Sequence, residues 1–542
     1  MRLINTTSLK LESFMGSGEN IPPYAILSHT WGDDEVSFQD CAALTFAIQK
    51  RYGFTKIRKT CELAYQDGLQ YAWVDTCCID RASSAELTEA INSMYQWYKD
   101  AVVCYVWLSD LTSGIDVPIE SPQSPLSNCR WFTRGWTLQE LLVPRTVRFY
   151  DSQWTFRGTK ASLCQTIAGI TNIRSSVLQE PDNVRLLSVA QRMSWAAKRE
   201  TTRVEDMAYC LLGIFDVNMP LVYGEGPRAF LRLQEEIAKN VNDLSLFAWR
   251  KLPSPQANHG IFATSPRDFL DSGSISLVQD AVFSPEFEVT NKGLRITADL
   301  QGHDNRYLMK LNCCHVADGR LERTGIWLMH RGGGVYSRIR GHEWGIVYRG
   351  QASKPTSIFL FRSISALRSQ ELETSHRGAF MLRENFNEHD DVRYRDFPFE
   401  VAMLLPKQSW DPQRRMYFTK GTAEFVGCAE FTLRPYVQEA TSLPSAAFLL
   451  VFGKEAADEE PWVTIATNKH QAHLLMARRD LSKLGQVARA SRQHGVSFMN
   501  TRGQEAALVS VRLVDELVDG QMVHVIDLSL KRLVDAHGRA CS

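Results

Sequence analysis

The sequence has no excess of charge of either sign. Its 61 Lys and Arg residues balance 61 Asp and Glu residues, so the formal net charge is zero. A strong net charge is what attracts nucleic acid or an anionic membrane surface. The basic segment 473–494 contains no interleaved Phe, Tyr or Trp, which is typical of a solvated face and not of a nucleic-acid site. We therefore expect no nucleic-acid partner.

Long apolar runs are also missing. The start, MRLINTTSLKLESF, lacks the apolar core of a signal peptide, and no apolar run approaches the ~18 residues of a membrane span. The 12 cysteines include two adjacent pairs but no C-x-x-C motif. Reduced, mostly buried thiols fit this pattern better than a disulfide framework does. We expect a cytoplasmic protein without a membrane span.

Glycine-rich motifs give no support for nucleotide binding. No G-x-x-x-x-G-K-[ST] motif occurs, which excludes a switch of the P-loop type. The glycine run 331–334 lies between two predicted strands. It therefore predicts a hairpin turn and not a phosphate-binding loop.

The 542 residues predict two or three domains at roughly 150 residues each. Strand and helix alternate over residues 1–152, which predicts an α/β domain with a mainly parallel sheet covered by helices. Residues 153–243 have a largely helical pattern. Short alternating runs separated by turn residues fill 244–542 and predict an antiparallel β domain, a sandwich or a barrel.

Polar residues follow two predicted strands of the first domain. The strand that begins at Tyr24 and the strand that begins at Tyr71 are short and apolar. Open α/β sheets bind ligands at the carboxyl ends of their strands. We therefore expect a ligand site formed by the residues at these two ends: Ser28, His29, Trp31 and Gly32 after the first strand, and Asp75, Cys78 and Asp80 after the second.

A predicted helix from Ser84 carries two candidate catalytic carboxylates. Glu86 and Glu89 lie three residues apart, so both can face the strand ends. A carboxylate there could stabilise a developing cation, as in sites that cleave glycosidic bonds. However, Ser83-x-x-Glu86 also fits a capping box, in which Glu86 only satisfies a backbone amide. The sequence leaves both interpretations of Glu86 open.

Two other combinations of residues occur at the same strand ends. Cys78 and His29 could form a thiol and base pair, but a buried structural cysteine is the commoner case. No ligand spacing supports a metal site that adds Asp75 and Asp80.

Arg134 and Glu140, on either side of Trp136, could bind a phosphate and a ribose. A structural ion pair on a helix explains them equally well.

Three long blocks of the first domain resemble the signature blocks of the fungal heterokaryon-incompatibility (HET) domain, in the same order and at the same spacing. They are YAILSHTWG at 24–32, AWVDTCCID at 72–80 followed by Glu86 and Met94, and RGWTLQEL at 134–141. Residues 202–215 and 221–226 are similar to the helical segment that often follows this domain. The remainder is similar to a β-rich C-terminal module of unknown function found in many fungal proteins of this kind.

The resemblance implies a role in fungal nonself recognition, in which HET domains act as effectors of programmed cell death. The HET domain is also similar to the TIR domain, a flavodoxin-like α/β fold some of whose members cleave NAD at the nicotinamide glycosidic bond. The TIR catalytic glutamate lies on a helix after a central strand, which is where Glu86 stands. By resemblance, NAD is a candidate substrate, and Ser28, His29 and Trp31 shape its pocket.

Two alternatives stay open besides an NAD-cleaving effector. One is an interaction module that acts by assembly without chemistry. The other is a HET-like accessory or tailoring protein of a fungal secondary-metabolite pathway. Large receptors of the family carry a nucleotide-binding module and repeats after the HET domain, and neither occurs here. We therefore expect the trigger to act through expression level, self-association or a partner protein at the C-terminal domain.

Overall fold

The structure is a computed structural model. It describes the residues 1–14, 20–112, 125–253, 255–278, 284–303, 306–317, 319–348, 354–373, 378–384, 399–412, 414–419, 425–433, 447–454, 460–466, 492–499, 505–518 and 521–532. Most of the basic segment 473–494, and most of the Ser- and Pro-rich loop before Arg130, lie outside these ranges.

A seven-stranded sheet organises the N-terminal part of the chain. Its strands are β1 (Arg2–Asn5), β2 (Leu11–Ser13), β3 (Tyr24–His29), β4 (Tyr71–Trp73), β5 (Val103–Trp107), β6 (Val147–Tyr150) and β7 (Phe156–Thr159), in the order β2-β1-β4-β3-β5-β6-β7. The four central strands pair in parallel, and the outer strands pair antiparallel. This confirms the predicted α/β region with a mostly parallel sheet. All six residues of β3 are buried, as expected for a strand covered on both faces.

Helices alternate with the strands of this sheet along the chain, and several of them pack on it. They are α1 (Phe38–Ala42), α2 (Phe46–Gln49), α3 (Tyr52–Gln66), α4 (Asp75–Cys78), α5 (Ser84–Asp100) and α6 (Thr137–Leu142). In α5 the residues Ala90, Ile91, Met94 and Tyr98 are buried, at the three- and four-residue spacing of one helix face. The hydroxyl of Ser83 accepts a hydrogen bond from the backbone N–H of Glu86 at 3.3 Å and caps this helix.

Apolar residues at helical spacing predict a helix over 41–67 with a break at Gly53, and this prediction was wrong in detail. Three helices occupy this stretch, and Thr45 caps the second of them. Gly53 lies in the first turn of α3 and not at a break. A Cβ at Gly53 would lie 2.0 Å from the carbonyl oxygen of Asp34, so this glycine permits a close backbone approach.

A helical segment follows the sheet. It contains α7 (Cys164–Thr171), α8 (Ser175–Gln179), α9 (Val189–Ser194), α10 (Asp206–Tyr209), α11 (Leu212–Phe215) and α12 (Arg228–Asn240). The strand β7 falls inside the range 153–243 that the sequence pattern assigned to helices, but it pairs with β6 and belongs to the N-terminal sheet.

The rest of the described chain is rich in β-strands. A nine-stranded sheet contains β8 (Asn258–His259), β9 (Ser276–Leu277), β10 (Phe287–Thr290), β11 (Gly293–His303), β12 (Arg306–Ala317), β13 (Arg320–His330), β14 (Val335–Ile339), β15 (Gly345–Ile346) and β16 (Lys354–Leu360), and α13 (Ala366–Glu373) follows it. Most of its pairs are antiparallel, but β14 and β16 are parallel. The glycine run 331–334 forms the predicted turn between β13 and β14.

Two further sheets contain the C-terminal strands. Their strands are β17 (Phe380–Glu384), β18 (Phe399–Leu405), β19 (Trp410–Asp411), β20 (Met416–Tyr417), β21 (Phe425–Leu433), β22 (Ala447–Lys454), β23 (Trp462–Ala466), β24 (Gln493–Met499), β25 (Glu505–Val518) and β26 (Gln521–Arg532). One continuous hydrophobic core extends from Leu3 to Leu360, and separate cores lie within 379–528. The N-terminal sheet, the helical segment and the nine-stranded sheet therefore share one core.

The thiols match the expectation of reduced, buried cysteines within the described chain. Eleven cysteines are free, and ten of them are buried. None of the described helices is both long enough and apolar enough to cross a membrane.

Candidate functional site

A cavity of about 360 Å³ lies at the carboxyl ends of β3 and β4. Its size is in the range of small-molecule sites. One side is formed by residues after these strands, by one face of α5 and by the segment 134–140. The other side is formed by Thr202, Arg203, Asp206 and Tyr223 of the helical segment. The cavity therefore lies between the α/β layer and the helices that follow it in the chain.

His29 and Asp75 lie together at the inner end of the cavity. The His29 side chain is only 1% exposed, and its Nε2 lies 3.5 Å from Oδ1 of Asp75. Within the part of the chain that the structure describes, neither ring nitrogen of His29 has a hydrogen-bond partner. Burial, and then the nearby charge of Lys56, lower the pKa of His29 well below its usual value. At neutral pH the cavity therefore contains an uncharged imidazole with free hydrogen-bonding capacity.

Asp75 lines the cavity with a side chain that is 20% exposed. Its Oδ2 accepts a hydrogen bond from the indole N–H of Trp31 at 2.8 Å. The guanidinium of Arg81 lies 3.7 Å from Oδ2 of Asp75 and 3.7 Å from the ring centre of Trp31. Burial raises the pKa of Asp75, while Arg81 and Trp31 act in the opposite direction. The indole and the guanidinium hold this carboxylate in place.

Glu140 provides a second, fully buried carboxyl group. The hydroxyl of Ser28 donates a short hydrogen bond to Glu140, and the indole N–H of Trp131 donates to the Ser28 oxygen at 2.7 Å. Burial raises the pKa of Glu140 to about 8, although the Ser28 hydrogen bond opposes this shift. Glu140 is therefore mostly protonated and neutral at pH 7.

Backbone contacts attach the helical segment to the segment that carries Arg134. The N–H of Gly135 donates to the carbonyl of Glu200 at 2.9 Å, and the N–H of Glu200 donates to the carbonyl of Thr133 at 2.7 Å. A Cβ at Gly135 would lie 2.5 Å from Cγ2 of Thr201. Only a glycine leaves room for this approach.

Side chains complete the contact across the cavity. Arg134 donates to the hydroxyl of Thr202 at 3.0 Å. The hydroxyl of Tyr223 donates to Asp206 at 3.0 Å, and the indole of Trp136 also hydrogen-bonds Asp206. The guanidinium of Arg203 lies 4.4 Å from the ring centre of Tyr223. These aromatic, cationic and carboxylate groups all face the same cavity.

Six of the predicted site residues line the cavity together: His29, Trp31, Asp75, Arg134, Trp136 and Glu140. Ser28 lies behind Glu140.

Three other predicted residues make local contacts and do not line the cavity. The N–H of Gly32 donates to Glu35, the Sγ of Cys78 accepts from the N–H of Val74, and Asp80 accepts from the amide of Gln39.

Glu86 is not among the residues that line the cavity. Its carboxylate forms an ion pair with Arg2 of β1, with one N–O distance of 2.9 Å, and accepts the backbone N–H of Asp80 at 2.8 Å. The capping interpretation was therefore correct for the Ser83 hydroxyl, which accepts the backbone N–H of Glu86. The Glu86 side chain, however, accepts the N–H of Asp80 and not that of Ser83. Glu89 is exposed on the surface of α5. A catalytic role for Glu86 or Glu89 stays a prediction.

The sequence interpretation missed four residues with chemical importance in the cavity: Arg81, Arg203, Asp206 and Tyr223. The last three belong to segments that resembled the helical region of HET proteins, but nothing in their spacing placed them beside β3 and β4. Among the side chains that the structure describes, no group of three or more His, Cys, Asp or Glu is arranged to bind a metal ion.

Comparison with known proteins shows what the N-terminal part resembles. A family model described as Heterokaryon incompatibility protein (HET) matches residues 24–124, so this part of the chain is similar to HET domains. A second model, Domain of unknown function (DUF8212), matches residues 228–260.

The chain is also similar to Vegetative incompatibility protein HET-E-1 of Podospora anserina. The two are 48% identical over 225 residues, which is 41% of this chain and 16% of that relative. The similarity thus concerns a small part of the relative's length.

Proposed function

We propose that this HET-domain protein is an effector of heterokaryon incompatibility that hydrolyses the nicotinamide N-glycosidic bond of NAD in the cavity. The HET match and the similarity to a vegetative incompatibility protein support the biological role. The proposal includes a TIR-like fold for the N-terminal sheet. Numbered in chain order, its parallel strands β3, β4, β5 and β6 follow the sheet order 2-1-3-4, which is also how the flavodoxin-like order begins.

The observation that carries the proposal is the set of groups in one cavity. Asp75 offers a carboxylate, His29 an uncharged imidazole, Trp31, Trp136 and Tyr223 aromatic surfaces, and three arginines positive charge. Cleavage of a ribosyl bond passes through an oxocarbenium-like transition state, which a nearby carboxylate stabilises. Asp75 suits this role because its partly exposed carboxylate lines the cavity beside His29.

The reaction is balanced by one water molecule. The bond between ribose C1′ and the pyridinium nitrogen breaks, and its electron pair returns to the ring, so nicotinamide leaves uncharged. The water oxygen bonds to C1′, and the released proton passes to His29 or directly to solvent. The neutral state of His29, which follows from its lowered pKa, allows it to accept that proton.

The assignment of the carboxylate differs from the one that the TIR resemblance implied. Glu86 pairs with Arg2 and bonds the Asp80 amide, so its oxygens already have partners. Asp75 is adjacent to His29 and faces the cavity. The proposal therefore assigns the transition-state contact to Asp75, and substitutions of both residues can distinguish the two assignments.

Inducible expression in fungal cells tests the proposal. We expect the wild type to deplete cellular NAD and kill the cells, and the Asp75→Asn variant at the same protein level to do neither. Arg185→Gln is the matched control because Arg185 is an exposed residue outside the cavity. If the wild type and Asp75→Asn kill cells equally, cell death does not require this chemistry. A module that acts by assembly would give that result. The same proposal includes the trigger: self-association, or a partner protein bound at the C-terminal sheets, activates the effector.

A further inference from the structure

Three arginines converge on the cavity from two separate parts of the fold. Arg81 follows β4, Arg134 precedes α6, and Arg203 belongs to the helical segment. Two of them stack on aromatic rings, Arg81 on Trp31 and Arg203 on Tyr223. Such stacking fixes the plane of a guanidinium and leaves its N–H groups free for a ligand.

Of these three arginines, only Arg81 forms an ion pair with a carboxylate of the described residues, and its partner is Asp75. The contact of Arg81 with Asp75 is long, at 3.7 Å. Within the described chain, neither Arg134 nor Arg203 forms an ion pair with a carboxylate; the side-chain hydrogen bond of Arg134 goes to the uncharged Thr202. Arginines that face a cavity without carboxylate partners are typical of sites for phosphate groups, whose oxygens match the guanidinium N–H groups.

The charge balance of the cavity favours an anion. Three guanidinium groups face the carboxyl groups of Asp75, Asp206 and Glu140. Glu140 is mostly neutral at pH 7, because burial raises its pKa to about 8. The cavity therefore has a net positive charge even when both aspartates are ionised. The unpartnered ring nitrogens of the buried His29 offer a further, uncharged contact for a ligand.

We propose that Arg81, Arg134 and Arg203 bind the diphosphate group of a nucleotide between the HET domain and the helical segment. The inference rests on the cavity of the proposed function and specifies its ligand class. Because Arg203 and Tyr223 come from outside the residues 24–124 that match the HET family model, the helical segment supplies one side of the site. A bound diphosphate joins the two parts of the fold through opposing arginines.

Calorimetric titration of the full chain tests this inference with ADP, inorganic pyrophosphate and adenosine. We expect ADP to bind most tightly, since it offers both the diphosphate and a base for the aromatic side chains. Pyrophosphate should bind more weakly and adenosine weakest. Arg203→Gln and Arg81→Gln should each weaken ADP binding by roughly tenfold or more, the effect of losing a charge-assisted hydrogen bond. Both arginines lie at the exposed rim, so folding should be preserved.

Arg185→Gln is the control, because Arg185 lies on the helical segment and pairs with Asp216 away from the cavity. Its affinity for ADP should equal that of the wild type. The inference is overturned if the wild type binds neither ADP nor pyrophosphate, if adenosine binds as tightly as ADP, or if Arg203→Gln binds ADP as well as Arg185→Gln does. Pyrophosphate binding as tight as that of ADP overturns the nucleotide assignment. ADP has no nicotinamide bond, so the titration with ADP tests binding whether or not the protein cleaves NAD.

Discussion

His29 Nε2 lies 3.5 Å from Oδ1 of Asp75, and neither nitrogen of this buried imidazole has a hydrogen-bond partner among the described residues. His29 ends β3, and Asp75 begins α4 just after the neighbouring parallel strand β4, so the sheet brings the two residues together. An unpartnered polar group in a protein interior lowers stability. The unpartnered imidazole of His29 lines a cavity, where a bound ligand would complete its hydrogen bonds.

The buried His29 should make the protein less stable in mild acid. Its pKa is lowered in the folded state, so the unfolded chain binds a proton at pH values where folded His29 stays neutral. Stability from this residue is therefore present above about pH 6.5 and falls below it, by about 1.4 kcal/mol per pH unit. Urea unfolding between about pH 5 and 7 should show a weaker pH dependence for His29→Gln than for the wild type. His342→Gln, which removes a half-exposed histidine, is the control. Equal slopes in all three proteins would contradict a neutral, buried His29.

Glu140 should have the opposite effect on stability. Its pKa rises from 4.5 to about 8 on folding, mainly because the carboxyl group is buried. Folded Glu140 keeps its proton where the unfolded chain has lost it, so stability falls as pH rises through this window, by about 1.4 kcal/mol per unit. Glu140→Gln should lack this decline and exceed the wild type in stability near pH 8. Parallel curves for the two proteins from about pH 5 to 8 would refute the assignment.

Glu86 and Arg2 should contribute to stability as a pair. Both side chains are about one quarter exposed, which limits the contribution of the ion pair to about 1 kcal/mol. Glu86→Gln and Arg2→Gln should each lower the free energy of unfolding by about that amount, and the double variant should lose less than the sum. A double-mutant cycle by chemical unfolding measures this coupling. Additive losses would mean that the pair does not interact in solution.

Gly213 should tolerate no side chain, because α11 packs directly on α5. A Cβ at Gly213 would lie 2.2 Å from Cβ of Tyr95. Gly213→Ala should therefore destabilise the protein by ~2 kcal/mol or more, through displacement of the helical segment. Gly169→Ala is the matched control within a helix, since no atom lies within 4 Å of the added Cβ. It should stabilise the protein by about 0.5–1 kcal/mol. A thermal shift of the same sign for both variants would contradict this packing.

The sequence predicted much of the α/β region because its signals are local. The buried run of β3 and the apolar spacing of α5 each identify an element, and two such strands in parallel place His29 near Asp75. The order of the three signature blocks carries the resemblance to the HET domain.

Other parts of the site depend on contacts between distant segments. Helical spacing places Glu86 on a face of α5 but does not reveal that β1 brings Arg2 to that face. Likewise, Arg203 and Tyr223 reach the cavity only because Gly135 and Gly213 allow the helical segment to approach closely. No periodicity in the sequence predicts that these distant segments lie close together.

The most direct test of the proposed reaction is nicotinamide release from NAD by the purified full chain. We predict release by the wild type, a rate reduced at least ~100-fold in Asp75→Asn, and rates close to wild type in Glu86→Gln and Arg2→Gln. Loss of activity in Glu86→Gln alone, with Asp75→Asn active, would assign the carboxylate to Glu86 instead. The absence of nicotinamide release by the wild type, even in concentrated protein, would contradict the proposed NAD hydrolysis.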